Sequence, residues 1–357
     1  MSNIFKDIYK NKNVLVTGHT GFKGSWLSIW LRELGANVIG YALAPNSQED
    51  NFVMAGLNKK IIDIRGDVRD LNKLKAIFEK YKPDIVFHLA AQPLVRLSYK
   101  IPIETYEVNV MGTLNVLECI RQSNTVKAGI MVTTDKCYEN REQIWGYRED
   151  DPMGGYDPYS SSKACAEILI ASFRNSFINP KNYEEHRKAI ASVRAGNVIG
   201  GGDWAKDRIV PDCIRALTSN KPIEIRNPKA IRPFQHVLEP LKGYLILAAN
   251  MYKDGTKYCG GWNFGPDYNS IVNVETVANI ILQQWGGNGC IKLSKENKLH
   301  EANTLTLDCT KAKTYLGWIP KLNIYESLKY TVEWYRNYKK RDVYDLCLNQ
   351  IKQYEKL

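Results

Sequence analysis

Tyr159 and Lys163 stand four residues apart in the run Tyr159-Ser160-Ser161-Ser162-Lys163. That spacing puts both side chains on one face of a helix. An ammonium held beside a phenol stabilises the phenolate and lowers its pKa, which makes a general base for a hydroxyl group. The pattern alone is common and also fits a solvated helical pair. A second feature gives it meaning. Val14-Leu15-Val16 runs into Thr17-Gly18-His19-Thr20-Gly21-Phe22-Lys23-Gly24 and then Ser25-Trp26-Leu27. This is G-x-x-G-x-x-G between a strand and a helix. Glycines permit the tight turn and close backbone approach, and the helix N-terminus offers free N–H groups to phosphates. The reading is a dinucleotide site. The carboxylate expected about 20 residues on, for a ribose hydroxyl, is missing. Ala42-Leu43-Ala44-Pro45-Asn46-Ser47 follows the second strand, with no Arg or Lys for a 2′-phosphate either. Asp67, in Gly66-Asp67-Val68, is a candidate acceptor for an adenine amino group or an ordinary turn residue.

These residues need a frame. Candidate strands are Val14–Val16, Asn37–Tyr41, Ile61–Ile64, Ile85–Leu89, Ile130–Thr133 and Ala189–Arg194. Amphipathic stretches lie between them at Gly24–Leu34, Leu71–Lys80, Glu104–Gln122 and Ser160–Asn175. Such alternation predicts an α/β fold, a Rossmann-type doubly wound parallel sheet covered on both faces. Past residue 195 glycine and proline become frequent, and a second, smaller α/β substrate domain is expected. The division expected is 1–195, with returning segments near 228–262 and 306–316, for the dinucleotide; 196–227 and 263–357 mainly serve the substrate. The ligand cleft should lie outside the strands' carboxyl ends.

Composition narrows the classes. The chain has 357 residues, 44% hydrophobic and 24% charged, an ordinary globular balance. No apolar run is long enough for a membrane span, and the charged start does not read as a signal peptide. The closest cysteines, Cys119 and Cys137, are 18 residues apart, which excludes a C-x₂₋₄-C zinc site and argues for reduced thiols in a cytoplasm. No metal is expected. The net charge of +11 allows a polyanionic partner, but the excess is spread along the chain, so neither nucleic acid nor a membrane surface is the reading. His88, on an apolar strand, reads as a packed histidine.

Together the residues resemble the extended short-chain dehydrogenase/reductase family of nucleotide-sugar enzymes. The shared pieces are Thr17–Gly24, His88-Leu89-Ala90-Ala91, Asn109–Thr113, Thr133–Asp135, Tyr159 with Lys163, Arg194–Gly200, Asp203-Trp204 and Arg208–Pro211. Within it the chain is similar to the CDP-glucose 4,6-dehydratases, through Ala90–Tyr99, Asp135–Tyr138, Trp145–Glu149, Gly154–Ser160 and Arg232–Val237. Asp135-Lys136 discriminates most, since related dTDP- and GDP-sugar dehydratases carry Asp-Glu there.

The resemblance implies NAD as cofactor, held by Gly18, Thr20, Gly21, Phe22, Lys23, Gly24, Asp67, Val68, Leu89, Ala90, Ala91, Asn109, Tyr159 and Lys163. It implies Thr134, Asp135, Lys136, Tyr159 and Lys163 as catalytic residues. Tyr159 takes the C4 hydroxyl proton and Asp135 is the acid for the C6 hydroxyl. Lys136 is either a neutral base at C5 or a charged group that stabilises an enolate. Gln92, Arg96, Asn197, Arg208, Arg232, His300 and Glu301 are implied for the nucleotide sugar, with Arg232 as the leading diphosphate clamp. A homodimer or homotetramer built on the helices near 104–122 and after Tyr159 is also implied. The alternatives are another nucleotide-sugar dehydratase, a 4-epimerase, or a non-catalytic dinucleotide-binding protein.

Overall fold

The computed structural model describes residues 7–286, 289–293 and 304–357. Seven strands form one sheet: β1 (Asn13–Thr17), β2 (Asn37–Ala42), β3 (Ile62–Arg65), β4 (Ile85–His88), β5 (Ala128–Val132), β6 (Ala189–Ala195) and β7 (Gly260–Phe264). Their order is β7-β6-β5-β4-β1-β2-β3, and each neighbouring pair is parallel. The strand sequences dictate this, because both faces are apolar. Val14, Val16, Ile85, Phe87, Ile130 and Val132 enter one core. Leu15, Val86 and Met131, the residues between them, enter the other.

Helices cover both faces. α1 (Phe22–Glu33) lies on the first. α2 (Leu71–Tyr81), α3 (Gly112–Gln122) and α4 (Pro158–Phe177) supply Leu74, Val116, Leu117, Ile170 and Phe173 to the second. α5 (Ile209–Thr218), α6 (Leu238–Lys253), α7 (Val274–Trp285), α8 (Thr310–Leu316), α9 (Ile324–Asn337) and α10 (Val343–Lys356) follow. α4 begins sharply because Pro158 opens it and the Asp157 carboxylate accepts from the Ser160 amide at 2.9 Å.

All six expected strands occur within two residues of their expected ends. β7 was not among them. Its sequence, Gly-Gly-Trp-Asn-Phe, has weak strand propensity, and it exists because it completes the edge beside β6. The expected continuous helix over 104–122 is instead a short helix (Pro102–Tyr106), a π-helical turn (Glu107–Met111) and α3. The wide turn aims Asn109 inward.

Past β6 the chain builds small pieces. Val198–Ile199 pairs with Gln235–His236, Ile223–Ile225 with Ile291–Leu293, and Ile231–Arg232 with Val272–Asn273. α10, expected with this second region, packs on α1, where Trp30 Nε1 donates to Glu355 at 3.1 Å. No helix among the described residues is long and apolar enough to cross a membrane.

Candidate active site

The sheet order reverses between β4 and β2, at β1, and the chemistry-bearing residues follow these strand ends. Gly18 has φ of +74°, and a Cβ there would lie 2.7 Å from the Ala90 nitrogen. A Cβ on Gly24 would lie 2.1 Å from the Gly18 carbonyl. The turn is therefore packed directly on the loop after β4, where the Leu89 amide donates to Thr17 at 3.1 Å. Gly21 caps α1 with no side chain to accept from its first amides. Those N–H groups fit an anionic group such as a dinucleotide pyrophosphate. Thr20 donates to the Leu43 carbonyl at 3.1 Å, and Phe22 packs on Gly200.

On the adenosine side, Arg69 holds both oxygens of Asp67, at 2.7 to 3.1 Å, and keeps its carboxyl below the usual range. Val68 is buried against Gly112. No carboxylate stands at 43–47, directly after β2, but the register places Arg65 opposite Ala42, and its guanidinium reaches the Leu43 carbonyl at 3.2 Å. Reading the segment after β2 alone missed this cation, which arrives from the neighbouring strand. It is paired with Asp63 at 2.7 Å, and Asp63 also holds the fully buried His19 at 2.8 Å.

The catalytic candidates converge. Thr133 and Thr134 leave β5, and Asp135 is 1% exposed. One Asp135 oxygen accepts from the Thr134 hydroxyl at 3.0 Å and lies 3.8 Å from Lys136 Nζ. The other, Oδ2, is buried without a hydrogen-bond partner. Tyr159 and Lys163 share one face of α4. Burial pushes the Tyr159 phenol up to about 12, while the Thr134 hydroxyl and Arg208 work in the other direction. Burial lowers Lys163 to about 8, and its Nζ donates to the Val132 carbonyl at 3.2 Å. Lys23 is lowered to about 8 by burial and by the nearby charges of Lys163 and Arg208. Cations that repel one another across a cleft make a site for anions. His88 is buried and bonded on both nitrogens, to Thr17 at 2.7 Å and Thr113 at 3.1 Å, and burial lowers it to about 3. It packs, as its apolar strand suggests.

Two of the expected ligand groups already have partners within the protein. The Gln92 side chain is spent on Leu94 and Thr105, and that of Asn109 on Gln92 and Ser162. Both are buried, and they tie the loop of Ala90 and Ala91 to α4. Asn109 lies in the wide turn that makes this reach possible.

On the substrate side, Arg208 pairs with Asp203 at 2.8 Å and lies near enough to Tyr159 to act on its charge. Arg96 lies 3.7 Å from Asp207, and Arg226 also holds Asp207. Sequence reasoning missed Arg226, which nothing local to its strand signals. Asn197 Oδ1 is buried without a hydrogen-bond partner, and the Asn197 carbonyl accepts from Gln235 at 3.0 Å. Arg232 is half-buried on its short strand, with Nη1 donating to the Ile231 carbonyl at 2.8 Å. His300 and Glu301 lie outside the described residues.

The chain resembles known proteins over most of its length. The chain is 53% identical over 333 residues, 93% of each chain, to the CDP-glucose 4,6-dehydratase of Salmonella typhimurium. An epimerase structure from Methanothermobacter thermautotrophicus superposes with a TM-score of 0.81 at 24% identity, covering 94% of this chain and 96% of its own, which shows the fold. MoeE5 in complex with UDP-glucuronic acid and NAD gives a TM-score of 0.76 at 26% identity over 91% and 99% of the two chains. The family model for GDP-mannose 4,6 dehydratase matches residues 15–331. The chain belongs to that dehydratase family, within the extended short-chain dehydrogenases/reductases.

Proposed function

We propose that the protein is a CDP-glucose 4,6-dehydratase, forming CDP-4-dehydro-6-deoxy-D-glucose and water. The observation that carries this reading is a buried Asp135 with one unpartnered carboxylate oxygen, beside the Tyr159–Lys163 pair. A 4-epimerase needs the pair but no acid for a leaving C6 hydroxyl. The Salmonella relative supports CDP as the nucleotide, and the NAD complex of MoeE5 supports NAD.

Tyr159, with Lys163 behind it, takes the C4 hydroxyl proton. NAD⁺, when held by the Gly18–Gly24 turn, would supply the acceptor for the C4 hydride and the donor of hydride to C6. The C4 ketone acidifies C5–H. Lys136 removes that proton, or stays charged and stabilises the enolate while another base takes it, and Asp135 delivers a proton to the departing C6 hydroxyl. A proton then returns to C5. Gly18 to Gly24 and the first amides of α1 hold the cofactor pyrophosphate. Arg208, Arg232 and Asn197 face the substrate diphosphate, with Arg96 towards the sugar.

The division into a dinucleotide region, 1–195 with its returning segments, and a smaller substrate region belongs to this proposal. So do a cytoplasmic location, in keeping with eight free cysteines, and a role in making cell-surface polysaccharide such as O-antigen. Exposed Ile103, Met111, Ile168 and Phe177, on the short helix, the π turn and α4, support a homodimer through these helices. Light scattering at micromolar concentration should give at least a dimer, and a monomer would sink that part.

The test is mass spectrometry of CDP-, dTDP-, GDP- and UDP-glucose incubated separately with protein and NAD⁺ in deuterated water. Loss of one water from CDP-glucose, with one deuterium gained at C5, is expected. An isomer of unchanged mass would replace the reading with an epimerase.

A further inference from the structure

Behind the catalytic pair lies a buried charge that no step above uses. Glu167 stands on α4 one turn past Lys163, on the line Tyr159, Lys163, Glu167. Its side chain is 4% exposed and that of its partner Arg194, on β6, 5%. Glu167 Oε1 accepts from the Thr133 hydroxyl. Oε2 accepts from Ser192 Oγ at 2.7 Å and Arg194 Nη2 at 2.8 Å. Arg194 Nη1 donates to the Tyr138 hydroxyl at 2.6 Å and the Glu149 carbonyl at 2.9 Å. Tyr138 in turn donates to Asn263 Oδ1 on β7 at 2.8 Å. A Cβ on Gly261 would lie 2.7 Å from Arg194 Nη2, so β7 keeps glycine there and the guanidinium has its room.

Thr133 immediately precedes the turn Thr134-Asp135-Lys136, and Tyr138 closes it. One ion pair therefore grips both ends of the segment that carries the acid and the C5 group. We propose that Glu167 is a positioning residue of this site, fixing that turn through Thr133 and the Arg194–Tyr138 contact and standing behind Lys163 as its buried counter-charge. The proposal rests on the dehydratase reading. Around Lys163 stand Lys23 from α1, His88 from β4, Cys137 from the turn and Glu167 from its own helix. Burial lowers Lys163, and Glu167 is foremost among the groups that oppose it. Burial likewise disfavours the Glu167 carboxylate, but Arg194 and the two hydroxyls outweigh it and hold the group charged. A buried ion pair is weak evidence for stability in itself, which leaves specificity of geometry and charge as its use.

The experiment follows kcat, KM and the pH profile of CDP-glucose dehydration in Glu167→Gln, Glu167→Asp and the charge-free pair Glu167→Gln/Arg194→Met. Calorimetry measures CDP-glucose binding alongside. In the two Gln variants the alkaline limb should move down by about one pH unit. Their kcat should fall by up to about 100-fold, while CDP-glucose affinity stays within about threefold. Glu167→Asp keeps the charge but loses the reach, so kcat should fall with the limb at its wild-type pH. A double variant that binds CDP-glucose normally and keeps the wild-type limb and kcat would overturn the proposal. If no Gln variant folds, Glu167→Asp decides, and a shifted limb there overturns it. A wild-type protein that releases no water would remove the dehydratase reading, and this inference with it. That outcome is distinct from wild-type turnover with unaffected variants.

Discussion

The two sides of the cleft are built differently. On the cofactor and catalytic side, each functional group leaves a strand or helix of one continuous seven-stranded sheet, and its backbone is fixed by the ladder. On the proposed nucleotide-sugar side, Arg96 stands on a four-residue helix, Arg208 at a helix start and Arg232 on a two-residue strand, with Asp203 and Asp207 pairing the first two. The first side is rigid by topology, while the second is held by charge that an incoming diphosphate can replace. Substitutions on the first side should therefore cost turnover, and those on the second should cost affinity.

The sharpest break of that contrast is Tyr159→Phe. Removing the phenolic oxygen deletes the proton acceptor without opening a cavity. Turnover should fall by about 10²–10⁴-fold with KM nearly unchanged. A KM rise as large as the kcat loss would place Tyr159 in binding instead. Asp135→Asn keeps the shape but loses the proton. Water loss should fall about 100-fold or more, while deuterium placed at C4 of the substrate still exchanges with the cofactor. Loss of that exchange too would mean that Asp135 serves the oxidation step.

The asymmetry also decides what could be read from the sequence. Strand–turn–helix and Tyr-x-x-x-Lys are local patterns, so Gly18, Gly24, Tyr159 and Lys163 were legible by spacing. The strand end at Thr134 and Asp135 was legible as the close of an apolar run, while their roles came from the resemblance. What failed was long-range. Gln92 and Asn109 were given as ligand groups by the resemblance alone. Their partners, Thr105 and Ser162, are named only by the fold. Arg65 escaped because a residue on β3 reaches the space beyond β2 only once the register is known. β7 escaped because its Gly261 makes room for Arg194, and that need is not written in its own propensity. Arg226 meets Asp207 across 19 residues of chain with no periodic signal.

On the charge-held side the effect should be smaller and of another kind. Arg208→Ala removes a cation beside Tyr159 and leaves the Asp203 carboxylate with the Ala205 amide but without its counter-charge. KM for CDP-glucose should rise about tenfold, as loss of one charge-assisted contact predicts, with kcat down by less. A kcat loss exceeding the KM rise would move Arg208 to the catalytic side and break the division.

Lys163 tests the same contrast through stability. Its folded pKa lies near 8 against an ordinary 10.5, so burying its charge opposes folding by about 3 kcal/mol at neutral pH. The sign follows from proton counts: between pH 8 and 10.5 the unfolded chain binds the extra proton, so stability rises with pH in that window. Lys163→Met, inactive, removes this opposition but leaves the Val132 carbonyl without its donor. Its melting temperature should exceed wild type by a few degrees below pH 8, an advantage that fades towards pH 10.5. An advantage that stays constant with pH would mean that the ammonium is not what strains the fold.

The smallest effect belongs to Arg65, which looks like a substrate-side cation but stands on a sheet strand. Its guanidinium is already shared between Asp63 and the Leu43 carbonyl and lies over the Phe52 ring, 4.8 Å from its centroid. Asp63 next to it repels a 2′-phosphate, so the pair should be close to neutral towards the adenosine ribose. Arg65→Ala should change NAD⁺ affinity by less than about threefold, in line with a part-exposed ion pair, and should leave NADP⁺ no better bound. Titration of both dinucleotides by calorimetry decides it. A loss of NADP⁺ binding much larger than the loss of NAD⁺ binding would make Arg65 a phosphate-reading group, and the charge-held style of the substrate side would then extend across β3 into the cofactor half.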